Sequence, residues 1–217
     1  MNKWKHRLAA LLMVAAVLLS GCTSSGSDTA EYLESMISSV YLGEHESYME
    51  SVDIAQEEAE DVYLDRLQSE SLYFASRLGF IQSDDTLYRT MAFFRRVYGY
   101  SAFSVSKIES TEKGYQAEIE ITPVNLFVEY EAEIEARVLQ FSKRVSEGEF
   151  DGQTQREIDC QYCNDLLNFL DGKLDDKIPM GEPYTMTITL QETDGGYTVS
   201  GDDLLKIEQS LVPYPEA

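Results

Sequence analysis

The spacing of apolar side chains changes from three-or-four to two around residue 100, which restricts the chain to folds combining helices with an antiparallel sheet. Tyr115, Ala117, Ile119 and Ile121 alternate with Gln116, Glu118 and Glu120, the repeat of a strand with one buried face. That strand, 114–122, pairs naturally with 102–110 through a turn at Thr111 to Gly114. Before the hairpin the period is helical. Tyr32, Met36, Val40 and Tyr41 predict a helix over 29–42 ended by Gly43, with His45 in a polar turn. Ala55, Ala59, Val62, Tyr63 and Leu67, continued by Phe74 and Leu78, outline a second helix reaching Gly79. Leu87, Met91, Phe94 and Tyr98 outline a third, capped by Asp84 and Asp85 and ended by Gly99.

After the hairpin, Asn125 can cap a helix carrying Phe127, Tyr130, Ile134, Val138, Phe141 and Val145, the strongest amphipathic stripe in the chain. A further helix covers 158–170, a second hairpin joins 184–191 to 196–200 around Asp194, Gly195 and Gly196, and Asp202 caps a terminal helix. The expected class is α+β: an antiparallel sheet of about four strands in two hairpins, with amphipathic helices packed on one face.

The first residues have another purpose. Lys3, Lys5 and Arg7 precede an unbroken apolar run from Leu8 to Leu19, and Ser20 and Gly21 lead into Cys22. As a helix the run would reach about 18 Å, against about 30 Å of bilayer hydrocarbon, so it is too short to span. The LSGC sequence at Leu19 to Cys22 resembles the lipobox of bacterial lipoproteins. The resemblance implies a diacylglycerol thioether on Cys22, cleavage after Gly21, and a cell-membrane location on the extracytoplasmic face. Residues 1–21 then form the signal peptide, 22–30 a flexible polar tether (TSSGSDTA after the cysteine) and 31–217 one acidic domain.

The chain carries a formal charge of −22, and the leader holds three positive residues and no acid, so the mature chain is more acidic still. Such a field opposes nucleic acid, whose binding draws on Lys and Arg. The expected partners are the lipid bilayer, through the Cys22 anchor, and a protein, peptide or small ligand of unspecified identity. The acids are dispersed, as on solvated helix faces.

Candidate chemistry is sparse. Cys160 and Cys163, in CQYC, are the thiols left besides Cys22, and their spacing permits packing, a structural disulfide, a redox pair or a metal half-site. Residues three apart in a helix keep their Cβ atoms about 5 to 6 Å apart, and a disulfide wants about 3.5 to 4.5 Å. A bridge therefore needs the helix to begin near Cys160, with Asp159 as cap. No second pair or nearby histidine completes a zinc site, and no metal or other cofactor is expected. His45 is the one histidine outside the leader, which leaves little room for a catalytic triad. The SxxK matches at Ser104 to Lys107 and Ser110 to Lys113 fall on or beside strand and lack companion motifs. Glu118 and Glu120 share a strand face and read as its solvent side. No catalytic residue is assigned.

The lipobox, YLG at Tyr41 to Gly43, YQAEIEITP at Tyr115 to Pro123 and DGGYTVS at Asp194 to Ser200 together resemble small uncharacterised bacterial lipoproteins with cystatin-like or NTF2-like domains. The resemblance implies fold and location, and brings no catalytic residues with it. The expected function is a non-enzymatic, membrane-anchored ligand- or protein-binding module. The alternatives are a thiol-redox or metal-handling protein using Cys160 and Cys163, and a carboxylate-dependent hydrolase.

Overall fold

The computed structural model describes residues 26–193 and 196–215, so the leader, Cys22 and the hairpin tip at Asp194 and Gly195 lie outside the described residues. The described helices are α1 (Gly26–Ile37), α2 (Glu46–Ser51), α3 (Gln56–Leu78), α4 (Asp84–Tyr98), α5 (Leu126–Glu129), α6 (Glu131–Ser146), α7 (Gln155–Asp176) and α8 (Gly201–Leu211). The strands are β1 (Ala102–Thr111), β2 (Gly114–Thr122), β3 (Tyr184–Thr193) and β4 (Gly196–Val199). They form one antiparallel sheet in the order β1-β2-β3-β4, so the fold is α+β. The chain divides into two compact units. The first holds the residues up to Tyr63, 102–122 and 183–211; the second holds 64–101, 123–182 and the residues after Leu211.

In the first unit the two-residue period sorts the sheet into unlike faces. The register aligns Phe103, Val105 and Ile108 with Ile121, Ile119 and Ala117, and these with Tyr184, Met186 and Ile188. Ala117, Ile119, Ile121, Ile188 and Leu190 are all buried, so this side is filled core. The other side carries Ser104, Glu109, Gln116, Glu120, Thr185, Thr187 and Thr189, all exposed. Helix α1 packs against β1, and its Glu34 Oε1 accepts a hydrogen bond from the Val105 amide at 2.6 Å. That amide sits where the β1–β2 register shifts between Val105 and Lys107, so a side chain satisfies a donor on an edge strand.

Helix α8 is tied to the same unit at both ends of its first turn. Tyr41, 1 % exposed, donates to the Leu204 carbonyl at 2.8 Å, and the Ser200 hydroxyl accepts from the Asp203 amide at 3.1 Å. Burial pushes the Asp203 carboxyl up, but Lys206, the Thr189 amide and Ser200 together outweigh it and hold the group below its ordinary value.

The second unit is built around phenylalanine. Phe74 and Phe94 are fully buried, and the Phe74 ring meets Phe80, Phe93, Phe94 and Phe127 at centroid distances of 5.9, 6.4, 5.6 and 5.8 Å. Helices α4 and α7 pack in parallel, and a polar ladder sets their register. Arg89 bridges Asn164 and Asn168, and Arg96, seven residues on, bridges Asp171 and Asp175, also seven residues on. Helix α6 runs against α7 in the opposite sense, with Lys173 on Glu133 at 2.6 Å, Arg137 on Asp165 at 3.4 Å and Phe141 on Tyr162 at 4.8 Å.

The structure departs from the sequence reading at several helix ends. Ser83, Thr154 and Ser200 accept the first-turn amides, in place of Asp84 or Asp85, Asp159 and Asp202. The hydroxyl stands one or more residues ahead of the acids, and an acid inside the first turn complements the helix dipole instead. Helix α1 starts at Gly26 and buries Thr29, within the stretch read as tether. The single helix expected after Asn125 breaks at Tyr130, whose φ of −106° and ψ of 18° are not helical. Phe127 goes to the phenylalanine cluster while Ile134 and Phe141 are buried on α6, and one straight helix does not serve both.

Replacing Phe74 with Ala should cost about 3–5 kcal/mol in urea unfolding, whereas Leu139→Ala, at a position 70 % exposed, should change stability by less than about 0.5 kcal/mol. Burial, reinforced by Asp165, pushes the Tyr162 phenol up to about 12. The folded protein therefore keeps a proton that an unfolded chain releases near pH 10, so this contribution is complete below about pH 10 and declines toward pH 12. Tyr162→Phe should flatten that alkaline loss in denaturation curves recorded across the interval.

Candidate functional site

The two thiols of CQYC lie on one regular helix. α7 begins at Gln155 with a capping box between Thr154 and Glu157, so Cys160 and Cys163 fall inside it and Asp159 is an interior residue rather than a cap. Both cysteines are free. Cys163 is fully buried with its sulfur 3.7 Å from the Thr90 hydroxyl, whereas Cys160 is half-buried and receives the Asn164 amide at 3.7 Å. Burial pushes the Cys163 thiol up, against smaller opposing effects from Thr90 and Arg89. Glu118 and Glu120 lie on the open side of the sheet, where Lys107 stands 3.7 Å from Glu118. Among the described residues no group of three or more His, Cys, Asp or Glu side chains is placed to hold a metal ion. No described helix is long and apolar enough to cross a membrane.

His45 has more structure around it than a polar turn requires. The last turn of the opening helix widens into a π turn, Ser38–Leu42, which Gly43 ends with a φ of 74°. A Cβ on Gly43 would lie 2.8 Å from the Tyr63 ring, so glycine is required both for the backbone and for the approach. The turn returns His45 beside Ser39, with Nδ1 2.9 Å from the hydroxyl, and α3 brings Glu60 Oε2 to 3.1 Å from Nε2. The His45 ring meets Tyr63 edge-on at 5.9 Å. A neutral imidazole protonated on Nε2 satisfies all three groups: it donates to Glu60 and accepts from Ser39.

The trio has the composition of a serine–histidine–acid relay, which needs its nucleophile open to substrate. Ser39 is 2 % exposed, so its hydroxyl is sealed by its own fold. The arrangement fastens the turn after α1 to the start of α3. Sequence reading missed it because Glu60 is 15 residues from His45 and only the packing of α3 brings it there.

A recess of about 310 Å³ opens where the starts of α4 and α7 meet, lined by Ile81, Gln82, Ser83, Asp84, Gln155, Arg156 and Asp159. Asp159, 6 % exposed, forms the back: one carboxylate oxygen accepts from the Ile81 amide at 3.1 Å and the other from Gln155 Nε2 at 2.7 Å. Gln82 gives its amide nitrogen to the Ser71 carbonyl at 3.3 Å, and its Oε1 is buried without a hydrogen-bond partner among the described residues. The volume is at the lower end for small-molecule pockets, and Arg156 and Asp84 put opposite charges at the rim.

No protein-family model and no curated protein matches the chain. The fold is similar to the crystal structure of a candidate lipoprotein, ycdA, from Bacillus subtilis, with a TM-score of 0.60 and 11 % identity. The alignment covers 97 % of this chain and 60 % of that one, so this chain spans less than two thirds of the length of the protein it matches. At that identity the likeness is one of fold.

His45→Ala should lower stability by about 1–3 kcal/mol in urea melts, because buried Ser39 loses its partner. Adding Ser39→Ala should recover part of the loss, giving a non-additive double-mutant cycle. In the folded protein Cys160 should react with a thiol reagent well before Cys163. In the denatured, unreduced protein both should react, and an absence of thiol at the two positions would mark a bridge.

Proposed function

We propose that this chain is a lipoprotein, anchored through Cys22 at the extracytoplasmic face of the cell membrane, that acts as a non-catalytic ligand- or protein-binding module. The observation that carries the reading is the LSGC sequence closing a basic, then apolar leader too short to span a bilayer. A fold shared with another candidate lipoprotein supports it, and so does the ligand-sized recess between α4 and α7. A cystatin-like or NTF2-like fold for the domain is the finer reading of its α+β class, supported by helices ahead of an antiparallel sheet of order β1-β2-β3-β4. The CQYC alternative is less favoured because both cysteines lie inside one regular helix and Cys163 is fully buried against Thr90.

Two acyl chains make attachment persistent where one holds only marginally. Cells fed radioactive palmitate should therefore label the wild-type chain and leave Cys22→Ala unlabelled and in the aqueous fraction. An unlabelled wild type overturns the anchor. Pull-downs from detergent-solubilised membranes should enrich a specific protein or ligand with the anchored chain over the Cys22→Ala variant, and enrichment of none removes the support for a binding role.

A further inference from the structure

Four side chains of α3, Glu70, Tyr73, Phe74 and Arg77, are spaced by three, four and seven residues and share one face of the helix. Within the second unit this face forms a slot that holds the segment after α8. The Tyr214 ring stacks on Phe127 at 4.3 Å with 6° between the planes, and meets Tyr73 edge-on at 5.0 Å. The Arg77 guanidinium lies 5.6 Å from the ring centre. At the bottom, the Tyr214 hydroxyl donates to Glu70 Oε1 at 2.5 Å while the Tyr98 hydroxyl donates to Glu70 Oε2 at 3.2 Å. Arg77 Nη2 also donates to the Pro215 carbonyl.

Two features separate this contact from ordinary core packing. The segment from Pro213 to Pro215 is neither helix nor strand, and its two prolines have no amide to give a ladder. Its described polar and ring contacts run through the Tyr214 side chain and the Pro215 carbonyl. The slot, by contrast, is built to accept a phenol: Glu70, 3 % exposed at its floor, takes the Tyr214 hydroxyl on one carboxylate oxygen and the Tyr98 hydroxyl on the other. Tyr214 enters hydroxyl first, so that its oxygen is deeply buried while the residue as a whole stays part-exposed. Burial and the Glu70 charge both push its phenol well up, so it docks neutral.

We infer that this slot is a binding site for an extended peptide bearing tyrosine followed by proline, and that the chain's own C-terminal segment occupies it in cis as a detachable strap. The inference rests on the binding-module reading for the use of such a site. The docking chemistry is tested without the anchor.

The test compares the full chain in detergent with a variant ending at Val212, using a fluorescein-labelled peptide of residues 210–217, SLVPYPEA, read by anisotropy. The shortened chain should bind saturably and the full chain at least tenfold more weakly, since the strap competes. A Tyr214→Phe peptide should bind about tenfold more weakly than SLVPYPEA, and a Tyr214→Ala peptide not measurably. If the shortened chain does not fold, full-length Tyr214→Ala serves as the empty receptor. Equal binding to filled and empty chains overturns the site, as does a folded empty chain that ignores the peptide. Loss of cooperative unfolding in both variants overturns the strap by making the segment part of the core. None of these outcomes touches palmitate labelling of Cys22, so failure of the slot is distinguishable from failure of the anchor.

Discussion

Removing a carboxylate from water costs several kcal/mol unless donors replace the solvent, and a chain of charge −22 meets that cost repeatedly. Three of its buried or half-buried acids join segments far apart in sequence. Asp159 accepts the amide of Ile81, 78 residues away, and Glu34 that of Val105, 71 residues away. Glu70 accepts the hydroxyl of Tyr214, 144 residues away. Each of these acids would be penalised in a misassembled chain that withheld its donor, so each favours one pairing over its rivals. The acidic composition thus contributes to uniqueness of fold as well as to solubility.

The two units answer this demand with different donors. Between Asp28 and Tyr63 the chain has eleven acids and neither lysine nor arginine, so Glu34 turns to a backbone amide and Glu60 to an imidazole. The second unit is richer in arginine and spends it between helices, where Arg89 and Arg96 each span two α7 side chains. Arginine suits that position because its planar fork reaches two acceptors four residues apart on one helix face. Most of these pairs are half-exposed, so they set register more than they add stability.

The same logic separates groups fully spent on the fold from those on which the proposed binding role rests. Ser39, His45 and Glu60 complete one another, and Cys163 is sealed against Thr90. The recess behind Arg156 and the tyrosine slot on α3 differ from these. One leaves a buried amide oxygen unpartnered among the described residues, and the other is filled by a proline-bounded segment of the chain itself. Both belong to the second unit, which draws on stretches before, between and after the two hairpins.

By itself the sequence determined the α+β class, the strand pairing and most element boundaries, because periodicity and punctuation are local properties. Alternation at Tyr115 to Ile121 fixed which face of β2 is buried, and Gly43, Gly79 and Gly114, all with positive φ, end or turn the elements they follow. Helix caps were legible only in part, since Ser83, Thr154 and Ser200 compete with neighbouring acids and the outcome turns on backbone geometry at each end. Tertiary structure alone decided the break at Tyr130, the meeting of Ser39, His45 and Glu60, and the seat of Tyr214 on Glu70. In each, the partners are set by what packs beside them, and a one-dimensional pattern carries helix period but not the identity of the neighbour across it. Glu70, set between Leu67 and Phe74 on the apolar stripe, is a mark in the sequence that could have pointed toward such a neighbour.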